Sequence, residues 1–147
     1  MQVVAFAASF SVVLQDEGGV RAEGFPMTGT YVDHFPDRIT LPLVLAVYAR
    51  GGSDYDPRQF IVATSPAGER LSVLECSWHW PDKPGIPIKY WVLAPNLTFV
   101  VQSPGVYSVG LYDTPDATKT DHQFLLPVLK VNPLLPPPPQ SPILNQP

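Results

Sequence analysis

Residues 38–50 read RITLPLVLAVYAR, and this stretch decides the fold class because its apolar residues recur with a period of two. One face carries branched aliphatic side chains, from Ile39, Leu41, Leu43, Leu45 and Val47. The opposite face carries Thr40, Pro42, Val44, Ala46 and Tyr48. Successive side chains of an extended chain point to opposite faces, so the pattern predicts a β-strand. Proline cannot donate a ladder hydrogen bond, and Pro42 therefore predicts an edge position or a bulge.

Further short strands are predicted downstream, each bounded by turn residues. They read QFIVATS, RLSVLECSWHW, IKYWVLAP, LTFVVQ, SPGVYSVGLYD and QFLLPVLKV. The alternation in the second of these predicts a buried face formed by Ser72, Leu74, Cys76, Trp78 and Trp80. Pro127 predicts that the last strand lies at a sheet edge.

The N-terminal residues 1–14 read MQVVAFAASFSVVL and alternate in the same way. They predict one long strand whose core face is formed by Val4, Phe6, Ala8, Phe10, Val12 and Leu14. The turn DEGG at residues 16–19 then predicts a hairpin with VRAEGF. No positive charge precedes the apolar stretch, and the first basic residue is Arg21, so a secretory leader is not indicated and we expect a cytoplasmic protein.

Composition limits the fold to one all-β domain. Proline makes up 19 of the 147 residues and leaves few windows for a long helix, which excludes an all-helical protein. The hydrophobic content of 45% and the charged content of 15% indicate a folded chain. We expect a single antiparallel β-sandwich of about eight strands, either a jelly roll or immunoglobulin-like, over residues 1–131.

The charged residues argue against two classes of partner. Nine basic residues are spread evenly along the chain among thirteen acidic ones, so there is no basic patch to neutralise nucleic-acid phosphates. There is also no apolar run long enough to span a membrane and no basic cluster beside one. We therefore expect neither a nucleic-acid partner nor a membrane.

No motif indicates catalysis, a cofactor or a metal. Cys76 and His79 have a spacing that occurs at metal sites, but strand alternation puts them on opposite faces, and the other histidines, His34 and His122, are isolated in sequence. The same geometry argues against nucleophilic catalysis, and no nucleophile-elbow motif is present. Asp54 and Asp56 fit turn chemistry. We expect a protein that is not an enzyme and holds neither a metal nor a cofactor.

Aromatic residues are concentrated around the stiff segment PDKPGIP at residues 81–87. Trp80, Tyr90 and Trp91 are candidate ligand-binding residues, since aromatic rings beside a rigid loop can stack on sugars or on proline-rich peptides. Core packing is the alternative that the pattern favours, because large aromatic side chains dominate protein cores.

Residues 132–147 form a proline-rich arm, which reads NPLLPPPPQSPILNQP. This composition favours an extended polyproline II conformation and cannot build a core. A frayed tail is one interpretation. The other is a stiff docking element, whose contact residues would be Leu134, Leu135, Pro136, Pro137, Pro138, Pro139, Ile143 and Leu144.

Several segments in order, namely AFAASF, FPMTGT, FPDRITLPLVLAVYAR, TSPAGERL and SPGVYSVGLYD, carry a resemblance to a family. The chain resembles, over residues 2–131, an uncharacterised family of short bacterial and phage-encoded β-sandwich proteins whose domain has no known function. The resemblance implies the sandwich fold and no activity, and the proline-rich arm lies outside it.

Two functions follow from these observations. The first is a non-catalytic structural or adaptor protein that binds a protein partner or assembles with itself, with the arm as its docking element. The alternative is a module that binds a small ligand or a carbohydrate through an aromatic face.

Overall fold

The computed structural model describes residues 1–132, and this part of the chain is all-β with no helix. The sequence predictions for residues 133–147 lie outside the described residues. The eleven strands are more than the eight expected because the N-terminal stretch and the segment after it divide into short strands. They are β1 (Gln2–Ala8), β2 (Ser11–Leu14), β3 (Val20–Glu23), β4 (Thr30–Val32), β5 (Asp37–Arg50), β6 (Arg58–Thr64), β7 (Arg70–Ser77), β8 (Ile88–Leu93), β9 (Asn96–Val101), β10 (Gly105–Tyr112) and β11 (Gln123–Lys130).

The first sheet is built around β5, the longest strand. β1 pairs along one side of β5, while β9 and then β8 pair along its other side. The predicted edge position of β5 is therefore wrong. Pro42 is tolerated in this central strand because the pairing of β5 with β1 ends at Leu43, opposite Ala8. Pro42 lies just outside that pairing, so no ladder hydrogen bond to β1 needs the N–H that proline lacks.

The second sheet has the strand order β4-β11-β10-β6-β7. All its pairs are antiparallel except β4 with β11, which run parallel, so the expectation of a purely antiparallel fold is wrong at this pair. The predicted edge position of β11 is wrong as well. β4 begins to pair with β11 at Val128, directly after Pro127, so the proline interrupts no bond to β4.

The single strand predicted over residues 1–14 is wrong, because the chain leaves the first sheet after Ala8. The second half pairs with β3 in a separate hairpin, which confirms the predicted turn. A bulge between Val3 and Ala5 also shifts the alternation of β1, and Val4 is 55% exposed instead of facing the core. Leu14, predicted to be buried, is 54% exposed in the hairpin.

The inner faces of both larger sheets pack into one hydrophobic core. The alternation of residues 38–50 is confirmed, since its branched aliphatic face supplies Leu41, Leu43, Leu45 and Val47, all buried. The inner face predicted for residues 70–80 is confirmed too: Cys76 on β7 and, just after this strand, Trp78 and Trp80 are buried. Apolar burial of this kind is the main stabilising term of the fold.

Tyr107 offers a test of a single core hydrogen bond. Its ring is 1% exposed, and its hydroxyl donates to the backbone oxygen of Ser103 at 2.7 Å. We expect Tyr107→Phe to lower the free energy of unfolding by about 1 kcal/mol, because the Ser103 carbonyl loses its donor. Urea unfolding measures the change. Tyr31→Phe, at a residue 41% exposed, is the control and should alter stability by no more than about 0.5 kcal/mol; equal effects of the two changes would contradict the assignment.

Candidate functional site

The outer face of the first sheet is apolar where an outward-facing sheet is usually polar. Six side chains form what we call the outer strip, namely Val44, Ala46 and Tyr48 on β5 and Ile88, Tyr90 and Val92 on β8. The register places Tyr48 opposite Tyr90 and Ala46 opposite Val92, so the members adjoin across the two strands. None of the six side chains carries a formal charge.

The end of the outer strip that carries two tyrosine rings is its most accessible part. The ring centroids of Tyr48 and Tyr90 lie 5.5 Å apart at an interplanar angle of 42°. Tyr90 is 63% exposed, and Ile88 beside it is 39% exposed. A tilted pair of tyrosines, with Tyr90 exposed and Tyr48 half-buried, offers flat apolar faces with polar hydroxyls at their edges, which suits contact with proline rings.

The other end of the outer strip is covered by the hairpin of β2 and β3. Between the hairpin and the sheet lies a cavity of about 370 Å³, which we call the hairpin groove. Its lining is uncharged and apolar, and consists of Ala5, Gly19, Val20, Ala22, Phe25, Val44, Ala46 and Val92. The hairpin explains why Val44 is only 4% exposed although it points away from the core. The hairpin groove and the tyrosine pair therefore form one continuous apolar surface.

A buried lysine holds together the loops at the end of the first sheet. Lys89 is 7% exposed, and its Nζ donates to the backbone oxygens of Ser53 at 2.7 Å and Trp80 at 3.1 Å. The same Nζ lies 5.3 Å from the ring centroids of both Tyr55 and Trp80. Two carbonyl acceptors and two aromatic faces thus compensate the ammonium for its lost hydration.

Acidic side chains fasten the same two loops from outside. Asp54 Oδ1 accepts a hydrogen bond from the backbone N–H of Asp82 at 2.6 Å, and Asp82 Oδ1 accepts one from the N–H of Gly52 at 2.7 Å. His79 Nδ1 lies 2.6 Å from Asp56 Oδ1. These contacts explain Asp54 and Asp56 as loop-forming residues, which agrees with the turn chemistry expected of them.

The three tryptophans of the chain pack against one another beside Lys89. Trp78 and Trp91 are stacked, with centroids 6.1 Å apart, and Trp80 contacts both rings. Trp78 and Trp80 are buried, and Trp91 is half-buried. Within residues 1–132, the indole Nε1 atoms of Trp78 and Trp91 are buried without a hydrogen-bond partner.

The three sequence-predicted ligand residues lie on two faces of the first sheet but line one cavity. Trp80 and Trp91 point into the aromatic cluster, whereas Tyr90 points outward into the outer strip. The separation follows from strand alternation, because Tyr90 and Trp91 are consecutive residues of β8. At the end of β8, a cavity of about 240 Å³ is lined by all three of these residues and by Lys83 and Ile86.

Cys76 and His79 lie on opposite faces, as predicted: Cys76 is buried and the His79 side chain is 62% exposed. No three His, Cys, Asp or Glu side chains within the described part of the chain are arranged to hold a metal ion. The same residues contain no helix long and apolar enough to cross a membrane.

The thiol of Cys76 should be unreactive in the folded protein. Burial raises its pKa, and the nearby negative charge of Glu75 raises it further. We expect alkylation at pH 8 to be roughly a hundredfold slower in the native protein than in urea. The folded state favours the neutral thiol, so stability should fall as pH rises from the ordinary thiol pKa through the raised one. Equal alkylation rates in the two states would contradict this burial.

Sequence reasoning missed the outer strip and the hairpin groove. A signal was present in residues 38–50, where the second face also carries Val44, Ala46 and Tyr48. A strand that is apolar on both faces indicates that both faces are covered. The role of Lys89 had no local signal, because its partner Ser53 is 36 residues away.

No family model matches the chain, and no match was found among curated proteins. The resemblance of residues 2–131 to an uncharacterised β-sandwich family therefore stays a prediction.

Proposed function

We propose that the protein is a non-catalytic structural or adaptor protein that binds an extended, uncharged, proline-rich segment along the outer strip and the hairpin groove. The observation that carries this proposal is the uncharged apolar surface on the outward side of the first sheet. Exposed apolar surface rimmed by polar residues is typical of protein interaction sites. Paired tyrosines next to an apolar groove suit a polyproline segment, which loses little conformational entropy on binding.

We also propose a specific architecture for the two larger sheets. Under it the first and second sheets form a β-sandwich of jelly-roll or immunoglobulin-like type, and the hairpin of β2 and β3 is an addition to one face. Support comes from the single core shared by the inner faces of the two sheets. In that arrangement the outer strip is a sandwich face that the core does not need, which leaves it available for binding.

Peptide binding tests this function. A panel of uncharged proline-rich peptides that contain leucine should bind residues 1–132 with micromolar affinity, measured by calorimetry. Tyr90→Ser should weaken binding about tenfold, because an exposed aromatic contact is lost. Tyr31→Ser on β4 removes a tyrosine from the second sheet and serves as the matched control. The proposal fails if no peptide binds, or if both variants bind as the wild type does.

A second candidate function is the binding of a small polar ligand or carbohydrate at the 240 Å³ cavity. The observation that favours it is the lining of this cavity by the rings of Trp80, Tyr90 and Trp91. A sugar ring in the cavity would contact these aromatic faces.

Tryptophan fluorescence tests the second function. A bound sugar should shift the emission of the cluster and raise the melting temperature in a concentration-dependent way. Trp91→Leu removes one aromatic ring from the lining of the cavity, so it should abolish the shift. A flat response across a panel of mono- and oligosaccharides would reject this function and leave the peptide-docking proposal unaffected.

A further inference from the structure

We infer that the segment bound by the outer strip is residues 133–147 of the proline-rich arm of a second copy of this chain. This inference rests on the proposed function and adds the identity of the occupant. It makes the protein a self-assembling one, in which the arm of each copy docks on the first sheet of another.

Composition matches the arm to the surface. Residues 133–147 contain no Asp, Glu, Lys, Arg or His, and the side chains that line the hairpin groove are equally uncharged. The arm has apolar pairs at Leu134 and Leu135 and at Ile143 and Leu144, with a run of four prolines between them. Leucine and isoleucine suit the apolar groove, and the prolines suit the Tyr48 and Tyr90 rings. No charge would be buried on either side of the contact.

The starting point of the arm places it far from the tyrosines of its own copy. Phe124 near the start of β11 packs on Phe6, with ring centroids 5.3 Å apart. Phe6 pairs with Leu45, so the start of β11 is level with the middle of β5. From there β11 continues to Val128, which pairs with Thr30. Thr30 closely follows Met27, whose N–H donates to the Ala8 oxygen at 2.6 Å, and Ala8 pairs with Leu43. β11 therefore runs towards the start of β5, whereas Tyr48 and its partner Tyr90 lie towards the end of β5.

The length of the arm decides whether its prolines dock on the tyrosine pair of their own copy or on that of a second copy. Six residues separate Phe124 from Lys130 and three separate Leu45 from Tyr48, which amounts to roughly 30 Å along the strands at about 3.3 Å per residue. Pro139 is nine residues beyond Lys130, a reach of about 28 Å in the polyproline II conformation. The arm would also have to pass from the second sheet to the outer side of the first, and stacked sheets pack about 10 Å apart. The four prolines therefore fall short of the tyrosine pair of their own copy, and the tyrosine pair of a second copy is the one they can meet.

A complementation experiment tests the exchange of arms. The Tyr90→Ser full-length chain keeps its arm but has a damaged strip, and the wild-type chain ending at Asn132 has an intact strip without an arm. Each alone should be monomeric by light scattering, whereas an equimolar mixture should form a heterodimer. The wild-type full-length chain should associate as its concentration rises. Tyr31→Ser in the full-length chain is the control and should associate normally.

Two further variants test the part of the contact that lies in the hairpin groove. Ala22→Asp puts a charge into the hairpin groove, whereas Val13→Asp puts it on the opposite face of the same hairpin, where Val13 is 60% exposed. A synthetic peptide of residues 133–147 should bind the Ala22→Asp form of residues 1–132 at least about tenfold more weakly than the Val13→Asp form.

The outcomes separate this inference from the proposed function. Heterodimer formation together with peptide binding supports exchange between copies. A monomeric full-length chain, or a mixture that forms no heterodimer, overturns the inference. If other proline-rich peptides bind the outer strip and the arm peptide does not, the inference fails and the proposed function stands. If no peptide binds, both fail.

Discussion

Replacing Lys89 with methionine is expected to lower the free energy of unfolding by about 2–3 kcal/mol, one of the two largest effects predicted for this protein. Methionine fills a similar volume, so the loss reports the ammonium and not a cavity. Its removal leaves the Ser53 carbonyl without the donor that lies at 2.7 Å, and it ends the contact with the Tyr55 and Trp80 rings. These partners are backbone and aromatic groups that the substitution cannot replace.

The cost of burying the Lys89 charge opposes this loss of stability. Burying a charge costs free energy, and exchanging a whole buried ion pair for apolar residues is often neutral or stabilising. Here only one partner is removed, and the carbonyl acceptor remains in place, which is the case where loss dominates. We therefore expect destabilisation.

Urea unfolding followed by tryptophan fluorescence measures the change, because all three tryptophans lie beside Lys89. Lys83→Met is the matched control, since Lys83 is an exposed lysine of the adjoining loop and its loss should change stability by at most about 0.5 kcal/mol. A Lys89→Met protein as stable as the control would show that the ammonium contributes nothing net.

Strand positions could be predicted from the sequence where one pattern ran without interruption. Residues 38–50 and the inner face of β7 keep a period of two, and the burial of Leu45 and Cys76 follows from it. The bulge at Val3 could not be predicted, because one extra residue changes the phase without changing the composition. The parallel contact of β4 with β11 involves only three residues of β4, too few for a pattern to be visible.

The candidate site could be predicted from sequence patterns even less well than the strands. Nearness in sequence grouped Tyr90 with Trp91, but side chains of consecutive strand residues point to opposite faces. Strand alternation, applied to residues 88–93, predicts the two opposite faces, but it does not predict that both residues line one cavity with Trp80 at the end of β8. The hairpin groove depends on how the hairpin of β2 and β3 lies on the sheet, which is a tertiary contact with no trace in local sequence.

Leu45→Asp is expected to unfold the protein, while Ala46→Asp one residue later is expected to leave it folded. Leu45 is 0% exposed in the shared core, whereas Ala46 lies in the outer strip. The first change removes a buried leucine, worth about 2–5 kcal/mol, and adds a buried carboxylate at a cost of several kcal/mol more. Together these approach or exceed the roughly 5–15 kcal/mol stability of an ordinary domain.

Ala46→Asp should cost on the order of 1 kcal/mol, since its side chain is half-buried and faces outward. Circular dichroism and amide dispersion in an NMR spectrum distinguish the folded variant from the unfolded one. The folded Ala46→Asp protein should nevertheless bind proline-rich peptides at least about tenfold more weakly, because bound peptide would desolvate the new carboxylate. Retained peptide binding in this variant would show that the outer strip is only structural. Loss of binding in a protein that stays folded would separate the two apolar faces of β5 by role, one for folding and the other for recognition.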